Sequence, residues 1–172
     1  MWRAEGALIH HPERQAIADS HDDHAMHWGA FHQGQLVGAA RLCLHQQLSD
    51  APDAEMFVGS NIPAPVASLN RLVVLSRLRG LGIAALLDQV RIDHAKQSGA
   101  RAIIVTPTDA LSRRRSLGSR GFQFLAGVVG HPIWSPSVMV CACYLILDPR
   151  SMPKTPLAEI VHTSHLACKA WI

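Results

Sequence analysis

The feature that most constrains the fold is a buried strand that runs directly into a glycine-rich turn and a helix. Residues 68–75 read SLNRLVVL, and the next seven residues read SRLRGLG. Apolar side chains then recur at Ile83, Leu86 and Leu87, a spacing that keeps them on one helix face. This pattern predicts a helix over residues 83–98 that packs against a sheet containing the preceding strand.

Other segments with strand or helix patterns surround this unit. The turn signal Gln33-Gly34 joins two apolar runs and predicts a hairpin, whereas the proline- and aspartate-rich residues 46–69 predict a long irregular excursion. The predicted elements are strands over 24–32, 35–44, 102–106 and 138–147, a strand beginning at Gly121, a helix over 111–119 and a weak helix over 157–169. The order predicts an α/β (α+β) fold with a mixed sheet flanked by helices.

Composition limits the class of protein. Of the 172 residues, 48% are apolar and 17% are charged, which argues against intrinsic disorder. The longest apolar stretch, residues 138–147, is too short for a membrane helix, and no apolar leader begins the chain. A cytoplasmic protein without a membrane partner is expected. The net charge of +3 makes nucleic acid an unlikely partner.

The cysteines and histidines do not follow a metal-binding pattern. Cys141 and Cys143 are two residues apart in a predicted strand, while Cys43 and Cys168 are isolated. A structural zinc site requires four ligands at recognisable spacing. We therefore expect free thiols in a reducing compartment and no metal.

The glycine-rich turn has the chemistry of a phosphate site. The first turn of a helix carries unpaired N–H groups and the positive end of the helix dipole. Gly80 and Gly82 let a ligand approach the backbone closely, and Arg77 and Arg79 add positive charge. These features predict that the turn binds a phosphate or pyrophosphate.

Two common nucleotide motifs do not explain the turn well. The chain has no G-x-x-x-x-G-K-[ST] sequence of a P-loop. Gly80-x-Gly82-x-x-Ala85 fits the looser dinucleotide pattern, but the acidic residue expected about 20 positions later is missing.

The sequence Arg77-x-x-Gly80-x-Gly82, between a buried strand and a helix, resembles the acyl-CoA-binding motif of the GNAT N-acetyltransferase superfamily. Downstream, Gly121-Phe122 resembles the end of the superfamily's second motif, and Asp23-x-Ala25-x-His27 is similar to a bacterial subgroup. The resemblance extends over residues 22–147. It implies a GNAT-like twisted sheet with an abbreviated N-terminal region.

The resemblance also implies an activity: direct acyl transfer from acetyl-CoA, or another acyl-CoA, to an amine that the sequence does not identify. The strand would pair with the pantetheine arm while residues 102–106 diverge from it, and a strand N–H near Val73 would polarise the thioester carbonyl. The turn would bind the pyrophosphate. The implied binding residues are Leu72, Val73, Val74, Arg77, Arg79, Gly80, Leu81, Gly82, Ile83 and Ala84.

Two positions differ from the superfamily pattern. The usual acid, a tyrosine four residues before Gly121, is replaced by Leu117, and the position of a frequent glutamate base is Asn70. His27 and Glu55 are therefore the candidate catalytic residues. His45 and His131 are further candidates for the base.

Three function classes stay open at this point, the third being a phosphate or nucleic-acid binder that uses the arginine run 113–115. The chain could be an N-acetyltransferase or a non-catalytic acyl-CoA-binding module of the same fold. The run Arg113-Arg114-Arg115 could be a solvated helix face, contact the 3′-phosphate of CoA, or bind nucleic acid. We expect a short N-terminal segment over 1–23, an acyl-CoA-binding core over 24–148 and a tail over 149–172 that packs on the core or on a partner, as in a homodimer.

Overall fold

The computed structural model describes residues 19–131, 135–148, 161–162 and 166–171. Ten strands and two α-helices occur in this part of the chain. The strands are β1 (Met26–His32), β2 (Gln35–His45), β3 (Val66–Val74), β4 (Ala102–Val105), β5 (Gln123–Phe124), β6 (Val129–His131), β7 (Ser135–Val140), β8 (Cys143–Ile146), β9 (Val161–His162) and β10 (Leu166–Trp171). The helices are α1 (Ile83–Gln97) and α2 (Leu111–Gly118).

Eight strands form one mixed sheet in the order β5-β8-β4-β3-β2-β1-β10-β9, while β6 and β7 form a separate pair. β3 and β4 are parallel, and α1 connects them. The other pairs in the large sheet are antiparallel. The predicted mixed sheet with helices is therefore confirmed.

A two-residue turn connects β1 and β2, as the sequence predicts. Gln33 and Gly34 both have positive φ, at 49° and 76°. Two central residues with positive φ are the mark of a type I′ turn, whose twist matches that of the hairpin strands.

Different elements cover the two faces of the large sheet. α1 and α2 cover the first face, where the fully buried Leu87 and Leu117 join the main apolar core. A short 3-10 helix (Ser20–His24) and the segment 46–65 cover the second face. Phe57 is fully buried there, so this segment is a packed part of the domain.

Two predicted elements were wrong. The apolar run 138–147 is not one strand, because Cys141 and Ala142 separate β7 from β8. The Cys141 N–H donates to the Pro107 carbonyl, and the Ala142 carbonyl accepts from Leu125, so the chain passes here between two sheets. The described part of the predicted helix over 157–169 is also extended, and β10 pairs with β1.

Some predictions fall partly outside the described residues. Residues 1–18 of the proposed N-terminal segment and most of the proposed tail are among these. In the described parts of the chain, no helix is long and apolar enough to cross a membrane.

The packing of the segment 46–65 leads to a stability prediction. Phe57→Ala should lower the free energy of unfolding by about 3–5 kcal/mol because it leaves a cavity in the apolar cluster on the second face of the sheet. Val58→Ala, at a neighbouring side chain that is 85% exposed, should change it by less than about 0.5 kcal/mol. Urea denaturation of the two variants tests this. Equal and small effects would show that the segment does not pack on the sheet.

Candidate functional site

A β-bulge interrupts β3 in the middle of the large sheet. Ala39 lies opposite Val73, but two positions further along β2, Arg41 lies opposite Asn70. β3 therefore has one residue more than β2 in this interval. The extra residue is accommodated at Arg71, whose φ of 54° is unusual for a residue with a side chain.

The bulge changes which side chains face each side of the sheet. Leu69 and Leu72 both pack in the core beneath α1, although they are three positions apart. Asn70 and Arg71, between them, both contact residues on the second face. In a regular strand, residues three positions apart face opposite sides of the sheet, so Leu72 would lie on the second face without the extra residue. The bulge thus keeps both halves of β3 apolar toward α1.

β3 and β4 separate next to the bulge. Their parallel pairing covers only Val66 to Ser68 on β3 and ends at the pair Ser68 and Ile104. The C-terminal half of β3 therefore has no partner on β4. The divergence expected at residues 102–106 is confirmed.

The open edge of β3 offers the backbone groups of Leu72 and the N–H of Val74, whose carbonyl accepts a hydrogen bond from Arg79. The Leu75 N–H donates to the Val37 carbonyl at 3.0 Å. Because hydrogen-bonded pairs alternate along an antiparallel ladder, Val73 bonds to Ala39 on β2. The polar groups of Leu72 and Val74 point the other way, into the gap. The backbone N–H that could reach a ligand near Val73 is therefore that of Leu72 or Val74.

The glycine turn leaves the start of α1 open. Gly82 is the N-cap at φ 81°, and no side chain caps the helix. The first intrahelical bond described runs from the Leu86 N–H to the Gly82 carbonyl, so the N–H groups of residues 83–85 have no earlier carbonyl in the helix. A Cβ atom at Gly80 or Gly82 would meet nothing within 4 Å. An anion can therefore approach this turn without steric hindrance.

Positive charge surrounds the turn. Arg77 and Arg79 are exposed, and Leu81 extends into solvent with 69% of its surface accessible. The Arg79 Nε donates to the Val74 carbonyl at 3.2 Å and so connects the turn to the open edge of β3. No acidic residue lies in the first turn of α1.

A buried arginine on α1 supports the bulge. The Arg91 Nη1 donates to the carbonyls of Arg41 and Asn70, at 3.0 and 3.2 Å. The Nε donates to the Leu87 carbonyl, and the Nη2 donates to Asp88 at 2.7 Å. The Arg91 and Asp88 side chains are both fully buried.

Asp88 also accepts hydrogen bonds from an arginine of α2, within the run 113–115. Arg113 donates to both carboxylate oxygens of Asp88, and Arg114 pairs with Asp109 while its guanidinium lies 5.0 Å from the Phe124 ring centroid. Arg115 is exposed. The arginine run is therefore divided among three environments and is neither one solvated face nor one ligand-binding patch.

A second buried arginine organises the opposite face of the sheet. Arg41 is 1% exposed and donates to Asp19 and Asp22, at 2.7 and 2.6 Å, and to the Asn70 side-chain oxygen at 3.3 Å. Arg71 also donates to Asp19, at 2.6 Å. These bonds attach the short 3-10 helix to the bulge.

Both aspartates of this cluster have a lowered pKa. Burial alone would raise the pKa of Asp19, but hydrogen bonds from Arg41 and Arg71 outweigh it and hold the pKa well below the usual range. The pKa of Asp22 is also lowered, because the hydrogen bond from Arg41 outweighs the effect of burial. Both carboxylates are ionised partners of the guanidinium groups.

His27 lies in the same row as this cluster. It is opposite Arg41, which is opposite Asn70, so the row crosses the sheet beside the bulge. The His27 Nε2 is 3.9 Å from Asp22, and its side chain is partly accessible. Glu55 is exposed on the segment 46–65, outside this row. The two candidate catalytic residues therefore do not belong to one cluster.

The remaining candidates are less accessible. The His45 Nε2 is 2.8 Å from the Ser68 hydroxyl, and both side chains are buried. Burial lowers the pKa of His45, and the neighbouring His21 lowers it further. The His131 side chain lies outside the described residues. Leu117 is fully buried in the main core, where it cannot donate a proton to any ligand.

Sequence reasoning did not find the buried supports of this region. Arg91 and Asp88 lie in a helical pattern in which charged residues are normally assigned to the solvent side. Arg41 interrupts the apolar residues of β2, and this is the only kind of signal that could have indicated a buried cation. In the described segments, no group of three metal-ligating side chains could hold a metal ion.

The low pKa values of Asp19 and Asp22 predict loss of stability in acid. A carboxylate with a depressed folded-state pKa stabilises the fold above its unfolded value of 3.8, and this contribution disappears as the pH falls through the folded-state value. The free energy of unfolding should therefore fall below about pH 4 more steeply in the wild type than in Asp19→Asn/Asp22→Asn. Denaturant titrations at several pH values measure both slopes. Parallel curves in acid would contradict the ion pairing.

Comparisons with known proteins agree with this geometry. The Acetyltransferase (GNAT) family matches residues 2–122. A GNAT-family acetyltransferase from Streptococcus pneumoniae is similar in structure, with a TM-score of 0.55, 18% identity, and coverage of 73% of this chain and 68% of that chain. An IAA acetyltransferase from Bacillus cereus has a TM-score of 0.57 at 14% identity, with coverage of 84% and 91%.

A Bacillus subtilis acetyltransferase in complex with CoA gives a TM-score of 0.57 at 15% identity, with the same coverage of 84% and 91%. No curated protein sequence matches this chain. At these identities the solved structures establish the fold, and the expected GNAT-like sheet is confirmed. Because the family match covers more than half of the residues, this chain belongs to the GNAT acetyltransferase family.

Proposed function

We propose that this protein is an acyl-CoA-dependent N-acyltransferase that transfers an acetyl group, or another acyl group, to an amine. The observation that carries the proposal is the open edge of β3 at Leu72 and Val74, directly beside the uncapped start of α1. An extended amide chain with a pyrophosphate at one end, such as CoA, matches both features. The edge offers hydrogen bonds to amides, and the helix terminus binds anions.

Each part of the turn would have a separate role. Leu72 and Val74 would pair with the pantetheine amides, and Val73 would hold this stretch against β2. The N–H groups of Gly80, Leu81, Gly82, Ile83 and Ala84 would bind the pyrophosphate, with Arg77 and Arg79 adding charge. The open space above the two glycines supports this assignment.

The chemistry would be direct transfer within a ternary complex. The neutral amine nitrogen attacks the thioester carbonyl carbon, and a β3 N–H stabilises the negative charge that develops on the carbonyl oxygen. The carbon–sulfur bond then breaks, and the CoA thiolate leaves. The amine loses one proton to a base, and the products are an amide and CoA.

The proton acceptor is the open step in this scheme. The His27 backbone lies two strand spacings, about 10 Å, from that of Asn70, so a proton from an amine bound beside Asn70 would reach His27 through one or more water molecules. Glu55 would instead act from the segment 46–65. Leu117 is buried, so the thiolate would leave without an acid, which a thiol pKa of about 8.5 permits.

A non-catalytic acyl-CoA-binding module is the second candidate. Leu117 is fully buried, and Asn70 uses its side-chain oxygen to accept a hydrogen bond from Arg41. Neither residue can move a proton. Binding of acyl-CoA is common to both candidates, and turnover separates them. A cytoplasmic location and a homodimer remain part of the proposal and rest on the sequence alone.

Acetyl-CoA should raise the thermal melting temperature of the wild type by several degrees at a concentration of about 100 Kd, through mass action. Gly82→Arg should abolish this shift because its side chain occupies the space that the pyrophosphate needs. Gly59→Arg is a matched control, since Gly59 has the same φ of 81° and similarly open surroundings. Thermal unfolding with and without the ligand measures all three proteins. A full shift in Gly82→Arg would contradict the proposed pyrophosphate site.

Release of CoA from acetyl-CoA in the presence of an amine panel tests the catalytic proposal. If His27 is the base, His27→Gln should lower kcat by about 10²- to 10⁴-fold, whereas Glu55→Gln and the control His24→Gln should stay near the wild type. The reverse pattern would assign Glu55. Acetyl-CoA binding without turnover of any amine would support the binding module.

A further inference from the structure

The bulge in β3 is held in an unfavourable backbone conformation. Arg71 has a φ of 54°, in the left-handed region that residues with a Cβ rarely occupy. Such a conformation persists only where the surroundings impose it, and it is common at functional sites. The contacts that impose it here are therefore of functional interest.

One set of contacts comes from α1, on the side away from Arg71's own side chain. At the bulge, the Arg41 and Asn70 carbonyls both accept from the Arg91 Nη1, at 3.0 and 3.2 Å. The Asn70 carbonyl belongs to the peptide bond that precedes Arg71. By binding it, the guanidinium fixes the orientation of the peptide at the bulge.

The guanidinium is itself fixed in place. The Arg91 side chain is fully buried and also bonds to Asp88 and to the Leu87 carbonyl. Asp88 is held in turn by Arg113 of α2. A planar group with all three nitrogens bonded has little freedom to move, so it defines a single position for the carbonyls above it.

We propose that Arg91 is a positioning residue for acyl transfer: it holds the bulge so that the next backbone N–H groups of β3 point at the thioester carbonyl. This inference rests on the proposed function, because it requires an acyl-CoA thioester beside β3. Arg91 lies beneath the sheet and bonds to the backbone, so it acts through the strand. Arg113, in the same scheme, supports Arg91 from α2 and is unavailable to CoA.

The thioester itself provides a readout that a merely structural residue would not affect. Isotope-edited infrared spectroscopy of acetyl-CoA labelled with ¹³C at the carbonyl reports how strongly backbone donors polarise that bond. In the wild type, the bound carbonyl band should lie at lower frequency than in free acetyl-CoA. In Arg91→Lys, which keeps the charge but cannot reproduce the planar set of donors, the band should move back toward the free value.

Binding measurements show whether the effect is local. Arg91→Lys should weaken acetyl-CoA binding by about three- to tenfold, the equivalent of one hydrogen bond, while CoA binding by calorimetry stays near the wild type because the glycine turn is intact. Arg101→Lys, at an exposed arginine before β4, is the matched control and should change neither quantity. An unchanged carbonyl band in Arg91→Lys with normal CoA binding would overturn the proposal.

A second variant covers the case in which Arg91→Lys fails to fold. Glycine adopts positive φ without strain, so Arg71→Gly relieves the need for a brace. Arg71→Gly also removes the bond to Asp19, so Arg71→Gly alone is the reference. Arg91→Lys/Arg71→Gly should fold as well as Arg71→Gly, and the carbonyl bands of these two variants should lie at the same position. Failure of this rescue would overturn the positioning role. If the wild type binds neither acetyl-CoA nor CoA, the proposed function itself is wrong.

Discussion

The bond between one buried guanidinium and two backbone carbonyls is the contact on which the candidate site depends. Arg91 donates to the carbonyls of Arg41 and Asn70 where β3 leaves regular pairing with β2. A bulge interrupts the regular ladder, where an unsatisfied carbonyl would carry a desolvation cost, and the Arg91 guanidinium offers a donor to each of these two carbonyls. The bulge can therefore be accommodated inside the sheet without leaving these acceptors unpaired.

The geometry of the site follows from this bulge. It keeps Leu69 and Leu72 on the same face, and therefore allows β3 to remain packed on α1 while its direction changes. β4 stays paired only as far as Ser68, so an edge that would be buried in a regular sheet is open. The open edge then lies beside the start of α1, where the glycines leave helix N–H groups accessible. A single extra residue thus brings a strand edge and an anion site together.

The local parts of this arrangement could be predicted from the sequence, and the non-local parts could not. The strand, the Gly80–Gly82 turn and α1 are short-range features, and the amino-acid pattern of residues 68–98 specifies them. The position of the bulge depends on partners from other elements, namely Asp19, Arg41 and Arg91. No pattern within β3 shows that Arg71 has a positive φ. In the same way, the break at Cys141 depends on Pro107 and Leu125, which are distant in sequence.

The two faces of the sheet show different ways of burying charge. Beneath α1, the cluster of Arg91, Asp88 and Arg113 has two cations for one carboxylate, and backbone carbonyls accept from the other two Arg91 nitrogens. On the opposite face, Arg41 has two carboxylates for one guanidinium, with Arg71 completing the balance. Buried ion pairs contribute little net stability, since desolvation offsets attraction. What they provide is a fixed geometry around Arg41 and Arg91, the two fully buried guanidinium groups, each of which would lose its counter-charge if its aspartates were removed. Both clusters meet at the bulge, the point where acyl transfer would require the backbone to be most exactly placed.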